Sequence, residues 1–173
     1  ILVMEDADLD LAVDGAIWGG FGTSGQRCTA ASRLLVHKKV VKEFTDRFVT
    51  RAQALRLGDG RLPTTDVGPV VNEAQLKRVH SYTKVGLKEG AKLLCGGEIS
   101  KEGDCRKGFF YAPTVFGDVV PKMRIAQEEI FGPTVTVLPV AGLDEAIEVA
   151  NAVRYGLSSA IYTRDINKAF RAI

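Results

Sequence analysis

One cysteine stands in a setting that favours nucleophilic chemistry. Cys28 directly follows Arg27, and both come after a polar segment that contains Gly22 and Gly25. A neighbouring guanidinium or a set of converging backbone N–H groups stabilises the thiolate, which is the nucleophilic form of cysteine. A lone cysteine is also a common small core residue, and Cys95, within an apolar run, fits that description. The polar surroundings of Cys28 favour the nucleophile.

A second group of residues could hold a planar cofactor. Glu128 and Glu129 are followed by Phe131 and then by the turn residues Gly132 and Pro133, just before a β-branched run. A carboxylate can accept hydrogen bonds from both hydroxyls of a ribose, and an aromatic ring can flank a planar heterocycle. The alternative is a solvated helix end beside a core phenylalanine, and the residues alone leave both interpretations open.

The elements that must position these residues alternate between strand and helix. Apolar periodicity and capping residues predict strands at 1–4, 33–37, 91–95, 109–116, 134–140 and 159–163, and helices at 9–21, 40–55, 72–88, 144–153 and from 165 onward. This alternation predicts an α/β fold, a three-layer sandwich with a mostly parallel sheet. Ligands of such sheets gather at the carboxyl ends of strands and at helix N-termini, so the loops carrying Cys28 and Glu129 are candidates for a site.

Composition indicates one globular domain and excludes several classes of protein. Of the 173 residues, 46% are hydrophobic and 25% charged, and the formal net charge is only +2, so nothing indicates a nucleic-acid partner. No apolar run has the length of a membrane span. The three cysteines are too sparse for a zinc or iron–sulfur site, so no metal is expected. Cys95 and Cys105 are interpreted as free thiols, with a disulfide between them as the alternative, in a protein of the reducing cytoplasm.

Several motifs, taken in order, resemble one family. The segment from Phe21 to Cys28 resembles the cysteine signature of the NAD(P)-dependent aldehyde dehydrogenases, and residues 129–133 resemble their nicotinamide-ribose motif. Further similar segments cover nearly the whole chain, at residues 4–10, 68–69, 90–97, 110–116, 151 and 155–157.

The resemblance implies a reaction and a division of roles. Cys28 would attack the aldehyde carbon to give a thiohemiacetal, a hydride would pass to NAD or NADP, and water would hydrolyse the resulting thioester to a carboxylic acid. Glu129 and Phe131 would position the nicotinamide half of the cofactor.

Weaker roles follow for five further residues. Gln75 and Arg78 occupy positions where the family often has ribose-side contacts, although a solvated helix face would have the same composition. Arg27 and Thr29, which flank the nucleophile, and Phe21 are expected to line the aldehyde pocket.

The resemblance also implies that residues 1–173 are an aldehyde dehydrogenase catalytic domain truncated at both ends. The general-base glutamate, the oxyanion-hole asparagine and the nucleotide-binding domain would precede Ile1. The segment alone is then expected to be inactive, and the intact enzyme to be a homo-oligomer, as a dimer or tetramer.

Three other functions stay open at this point. A cysteine hydrolase would need a histidine beside Cys28, and the only candidates are His37 and His80, both of which are interpreted as surface or packing residues. A family member that passes the acyl group to coenzyme A would carry the same motifs. A non-catalytic module of the same fold would not need a reactive Cys28.

Overall fold

Six strands form one sheet in the computed structural model, which describes residues 1–173. In chain order they are β1 (Leu2–Val3), β2 (Arg33–His37), β3 (Lys92–Cys95), β4 (Thr114–Gly117), β5 (Thr134–Val140) and β6 (Ile161–Tyr162). Across the sheet the order is β3-β4-β5-β2-β1-β6, and only the β3–β4 pair is antiparallel. The predicted mostly parallel sheet is confirmed.

Helices connect these strands. They are α1 (Leu9–Phe21), α2 (Val41–Gln53), α3 (Glu73–Lys88), α4 (Arg124–Gln127), α5 (Leu143–Asn151) and α6 (Ile166–Ala172), with 3₁₀ turns at Gly22–Gly25 and Gly103–Lys107. Asp8, Asn72 and Asp165 cap α1, α3 and α6, because each side chain accepts a backbone N–H of the first turn. None of the helices combines the length and apolar character needed to cross a membrane.

The sheet separates two apolar cores, as the alternation of side chains along a strand requires. Leu34 and Val36 of β2 face α1 and α2, where Phe44 and Phe48 are fully buried. Leu35 faces the opposite core, which α3 and α5 close. Burial of each such side chain contributes about 1.5–3 kcal/mol. The predicted three-layer sandwich is confirmed.

One predicted strand was wrong in extent. The other predicted strands and helices begin and end within two residues of their predicted bounds, but the strand expected at 109–116 is limited to Thr114–Gly117, and the short helix α4 was not predicted. Pro113 has no N–H to donate to a sheet. The Pro113 carbonyl also lies so close to Gly96 that a Cβ added to Gly96 would be 2.2 Å from the Pro113 oxygen. The antiparallel register shifts at this place, between Leu93 and Cys95. Before Pro113, Tyr111 makes only an isolated bridge with Ile99.

The topology fixes the edge at which the candidate site lies. Cys28 is in the loop that leads into β2, and Glu129 is in the loop that leads into β5. Since β2 and β5 are parallel neighbours, both loops meet at the amino edge of the sheet. The expectation that the site would lie at carboxyl ends of strands was therefore wrong.

Candidate active site

A cavity of about 650 Å³ opens at the amino edge of the sheet. Five of the eight residues that the sequence singled out line it: Arg27, Cys28, Thr29, Glu129 and Phe131. Two loops separated by roughly a hundred residues of sequence thus meet at one surface.

A left-handed turn shapes the cysteine loop. Thr23, Ser24 and Gly25 have consecutive φ values of 54°, 59° and 66°. Each non-glycine residue in that conformation costs about 1–2 kcal/mol, so surrounding contacts must hold the turn. One such contact is a 2.8 Å hydrogen bond from Ser24 Oγ to the Gly68 carbonyl.

Gln26 fastens the same loop at a second point. Its Oε1 accepts the Val71 N–H at 2.9 Å, and its Nε2 donates to the Pro69 carbonyl at 3.4 Å. The amide therefore bridges a donor and an acceptor of one segment, residues 69–71. Cys28 therefore follows, two residues later, a side chain that fixes the loop to residues 69–71.

Cys28 is the accessible thiol of the three. It is exposed, and no hydrogen bond reaches its sulfur, whereas Cys95 and Cys105 are buried free thiols. Burial raises the pKa of the Cys95 thiol, which keeps that sulfur in its unreactive form. Of the three, only Cys28 is placed to meet a substrate.

The Arg27 side chain lies against Trp18. Its guanidinium carbon lies 4.0 Å from the centre of the exposed Trp18 ring, and Nη2 donates to the Trp18 carbonyl at 3.2 Å. The buried Nε has no partner. Arg27 lines the cavity, and its guanidinium makes no hydrogen bond to Cys28. Thr29 also lines the cavity, and its carbonyl accepts the Ser158 hydroxyl at 3.3 Å.

Phe21 does not line the cavity, and its assignment to the aldehyde pocket was wrong. Its ring is 1% exposed and stacks on Phe48 of α2, with the ring centres 5.8 Å apart. The α1 face that carries Phe21 is the face that packs on α2, so the ring belongs to the core.

The two site loops touch through their backbones. A Cβ on Gly25 would lie 2.2 Å from the Gly132 carbonyl oxygen, a distance that no side chain can occupy. Gly132 is itself packed against Val79 of α3, where a Cβ would lie 2.4 Å from a methyl group. Glycine at both positions allows the cysteine loop, the Glu129 loop and α3 to stack in close contact.

Helix α3 holds the Glu129 loop with two side chains. Arg78 Nη2 donates to the Glu129 carbonyl at 2.7 Å, and Gln75 Nε2 donates to the carbonyls of Ile130 and Phe131 at 3.0 and 2.7 Å. Neither Gln75 nor Arg78 lines the cavity. The predicted ribose-side contact of these residues stays untested, whereas their bonds to the loop backbone are present.

The two adjacent acids differ in their surroundings. Glu128 accepts hydrogen bonds from the Tyr82 hydroxyl at 2.7 Å and from Arg124 at 2.9 and 3.0 Å. The Arg124 guanidinium, with the Tyr82 hydroxyl, lowers the pKa of Glu128 to about 2. Glu129 is exposed, and its carboxylate has no hydrogen bond or ion pair within the chain. Glu128 is thus an anchor, and Glu129 presents its carboxylate freely.

Neither histidine lies at Cys28. His37 is buried, and its Nδ1 accepts the Lys39 N–H at 3.2 Å. His80 lies 3.2 Å from the Tyr111 hydroxyl, on the α3 side of the sheet. Neither lines the cavity, so the structure contains no cysteine–histidine pair for a hydrolase.

Sequence reasoning missed Arg33, which lies on the cavity wall. Its guanidinium donates to the carbonyls of Val149 and Ala150, both at 2.9 Å, at the C-terminal end of α5. The Val149 carbonyl otherwise accepts only the Ala152 N–H, at 3.4 Å. Carbonyls of the last turn lack the i+4 partners of the helix interior, and a cation suits the negative end of the helix dipole. The only signal in the sequence is a single cation at the start of an apolar strand.

Comparisons with known proteins agree with the motifs. The model of the aldehyde dehydrogenase family matches residues 1–173. Betaine aldehyde dehydrogenase of Brucella anthropi is 43% identical over all of this chain and 36% of its own length. The crystal structure of betaine aldehyde dehydrogenase from Staphylococcus aureus in complex with NAD+ superposes with a TM-score of 0.97 at 39% identity, over 99% of this chain and 34% of that one. HpcC from Thermus thermophilus gives a TM-score of 0.96 at 43% identity, with the same coverage. The chain spans about a third of the length of these relatives.

Proposed function

Because the chain belongs to the aldehyde dehydrogenase family, we propose that it forms part of the catalytic domain of an enzyme that oxidises an aldehyde to a carboxylic acid with NAD or NADP. The observation that carries this proposal is the exposed Cys28 thiol in one cavity with Glu129 and Phe131. Residues for the nucleophile and for holding a cofactor therefore share one site.

Cys28 is the proposed nucleophile. Its thiolate attacks the aldehyde carbon, a C–S bond forms, and the carbonyl electrons move to oxygen as an oxyanion. The backbone N–H of Cys28 is the proposed donor to this oxyanion, and one such donor typically lowers the barrier by about 3–4 kcal/mol. Collapse of this oxyanion would expel a hydride from the former aldehyde carbon, which NAD(P)+ would accept when bound, and would leave a thioester. Water then attacks the thioester carbon, the C–S bond breaks, and the carboxylic acid and the free thiol result.

Glu129 and Phe131 fit the nicotinamide half of a dinucleotide. The Glu129 carboxylate has both oxygens free to accept ribose hydroxyls, and the Phe131 ring is 36% exposed at the cavity. A bound nicotinamide supplies the hydride acceptor for the oxidation. The Staphylococcus aureus relative was solved with NAD+, which favours NAD over NADP for this chain.

The remaining parts of the reaction are proposed to lie in the rest of a longer protein. They are the general-base glutamate, the side-chain amide of the oxyanion hole and the nucleotide-binding domain. We propose a homo-oligomer for the intact enzyme, and the three free thiols support a reducing compartment such as the cytoplasm.

Substitution of the nucleophile tests this function. In the full-length enzyme, Cys28→Ser is expected to abolish NAD(P)H formation from an aldehyde, because a serine hydroxyl is a far weaker nucleophile than a thiolate. Cys105→Ser, at a buried thiol outside the cavity, is the matched control and is expected to retain turnover. Near-normal turnover by Cys28→Ser would refute the assignment. Acyl transfer that requires coenzyme A in place of water would identify the acylating branch of the family.

A further inference from the structure

Four charged side chains line the cavity that holds Cys28, and two of them have partners within the chain. Arg33 donates to two carbonyls at the end of α5, and Glu128 is ion-paired. The other two, Arg27 and Glu129, have no ion pair within the chain. Because Glu129 belongs to the proposed cofactor site, Arg27 is the cation that remains for a substrate.

The Arg27 guanidinium is held in one position although it has no counter-ion. Its carbon lies 4.0 Å from the centre of the Trp18 ring, and Nη2 donates to the Trp18 carbonyl at 3.2 Å. Gly22 leaves room for the group, since a Cβ added to Gly22 would lie 3.3 Å from Nη2. A guanidinium that is already fixed loses little conformational entropy when it binds a ligand.

Most N–H donors of this guanidinium have no acceptor within the chain. A guanidinium carries several donors, and the bond from Nη2 to the Trp18 carbonyl uses only one of them. The Nε–H is buried without a partner, so the desolvation of the group is compensated only in part. By contrast, Arg47, Arg51 and Arg56 each pair with a carboxylate. A carboxylate is the acceptor that Arg27 lacks, because its two oxygens can accept two guanidinium N–H groups at once.

From this geometry we propose that Arg27 binds an anionic group of the substrate, and that the substrate class is an aldehyde that also carries a carboxylate. One guanidinium balances a single negative charge, and its planar set of donors matches a carboxylate. Arg27 directly precedes Cys28, so their Cα atoms are about 3.8 Å apart, which suits a short carbon chain between carboxylate and aldehyde. The same cation disfavours an aldehyde with an ammonium group. The inference rests on the proposed function, because it takes Cys28 as the nucleophile.

Three aldehydes of similar size and different charge test this substrate class in the full-length enzyme. They are succinate semialdehyde, its neutral methyl ester and the cation betaine aldehyde. We expect kcat/KM for succinate semialdehyde to exceed that for the ester by about 10- to 100-fold, the range for a hydrogen bond between charged groups. Betaine aldehyde should be the poorest substrate of the three. The preference for the anion should decrease as the salt concentration rises, because salt screens the attraction.

Substitutions at Arg27 show whether this side chain is the source of the preference. Arg27→Met and Arg27→Gln remove the charge and should lower kcat/KM for succinate semialdehyde by about 10- to 100-fold. The ester should be affected by a smaller factor, so that the preference disappears. Arg27→Lys keeps a charge and should retain part of it. Arg106→Met is the matched control, with the wild-type preference expected, because Arg106 also donates only to a backbone carbonyl, that of Gly103, but is exposed outside the cavity.

The ratio of the two kcat/KM values does not depend on the fraction of active enzyme, so partial misfolding of a variant leaves it unchanged. Equal kcat/KM for succinate semialdehyde and its ester in the wild type would overturn the inference. A preference for the anion that survives in Arg27→Met or Arg27→Gln would also overturn it. Failure of the proposed function is distinguishable, because the enzyme would then oxidise none of the three aldehydes with NAD or NADP, and both proposals would be refuted together.

Discussion

Replacement of Gly25 by alanine tests how closely the two site loops must approach. The new Cβ would lie 2.2 Å from the Gly132 carbonyl oxygen and 3.0 Å from that of Gly20, and both are backbone atoms that cannot rotate away. The φ of 66° adds the cost of a left-handed alanine, about 1–2 kcal/mol. Overpacking of a tight contact typically costs a further 1–3 kcal/mol or so. Gly25→Ala should therefore lower the free energy of unfolding by about 2–5 kcal/mol.

Substitution of a second glycine distinguishes the cost of the left-handed backbone conformation from the cost of the steric collision. Gly103 has a φ of 50°, but nothing lies within 4 Å of the position that its Cβ would take. Gly103→Ala should therefore show only the conformational cost. In urea unfolding of the full-length enzyme, we expect Gly25→Ala to be less stable than Gly103→Ala by about 1–3 kcal/mol. We also expect Gly25→Ala to lose turnover, since the displaced backbone separates the loops of Cys28 and Glu129.

Equal stability and equal turnover of the two alanine variants would refute this reasoning. That result would mean that the loops can move apart without cost and that their contact does not set the site. If Gly25→Ala lost stability but kept its turnover, the steric collision would be confirmed, and the close contact of the two loops would be shown to be unnecessary for catalysis.

Two further predictions concern polar anchors. The pKa of Glu128 is lowered from 4.5 to about 2, so its carboxylate stabilises the fold fully above about pH 4.5 and loses that effect as the pH falls towards 2. The difference in the free energy of unfolding between wild type and Glu128→Gln should therefore shrink over this range, and a constant difference would contradict the role of Arg124 as its partner. Arg33→Met removes the donors to Val149 and Ala150 and should lower the free energy of unfolding by about 2–4 kcal/mol in urea unfolding. Amide hydrogen exchange at the end of α5 should accelerate in that variant, and unchanged exchange would contradict the capping role.

Local signals explain why most of the fold could be predicted. Asn72 marks the start of α3 with a side-chain cap, and the β-branched run at Thr134–Val140 indicates a strand buried on both faces. The edge that holds the site was mispredicted, although the chain order contains the answer. A loop that precedes a strand of a parallel sheet lies at its amino edge, and Cys28 precedes β2.

The sequence predicted those residues of the candidate site that belong to a short motif. It failed for residues whose environment is determined by tertiary packing. Cys28 and Glu129 come from short motifs, and the structure brings both to one cavity. Which face of α1 meets α2 is not encoded locally, and so Phe21 was assigned to the wrong environment. The directions of the Arg27 and Gln75 side chains depend on partners that only the folded chain supplies, namely the Trp18 ring and the carbonyls before β5.

The pairing of β2 with β5 also bears on when the site can form during folding. Leu35 is aligned with Leu138 in this pair, and Cys28 and Glu129 are carried by the segments that enter the two strands. A slip of one residue would displace one segment against the other by about 3.3 Å and turn the apolar side chains to the wrong core. Cys28 and Glu129 therefore come together only after two distant parts of the chain have paired in the correct register. Such non-local pairing is slow, so chemical competence should be among the last properties that the folding chain acquires.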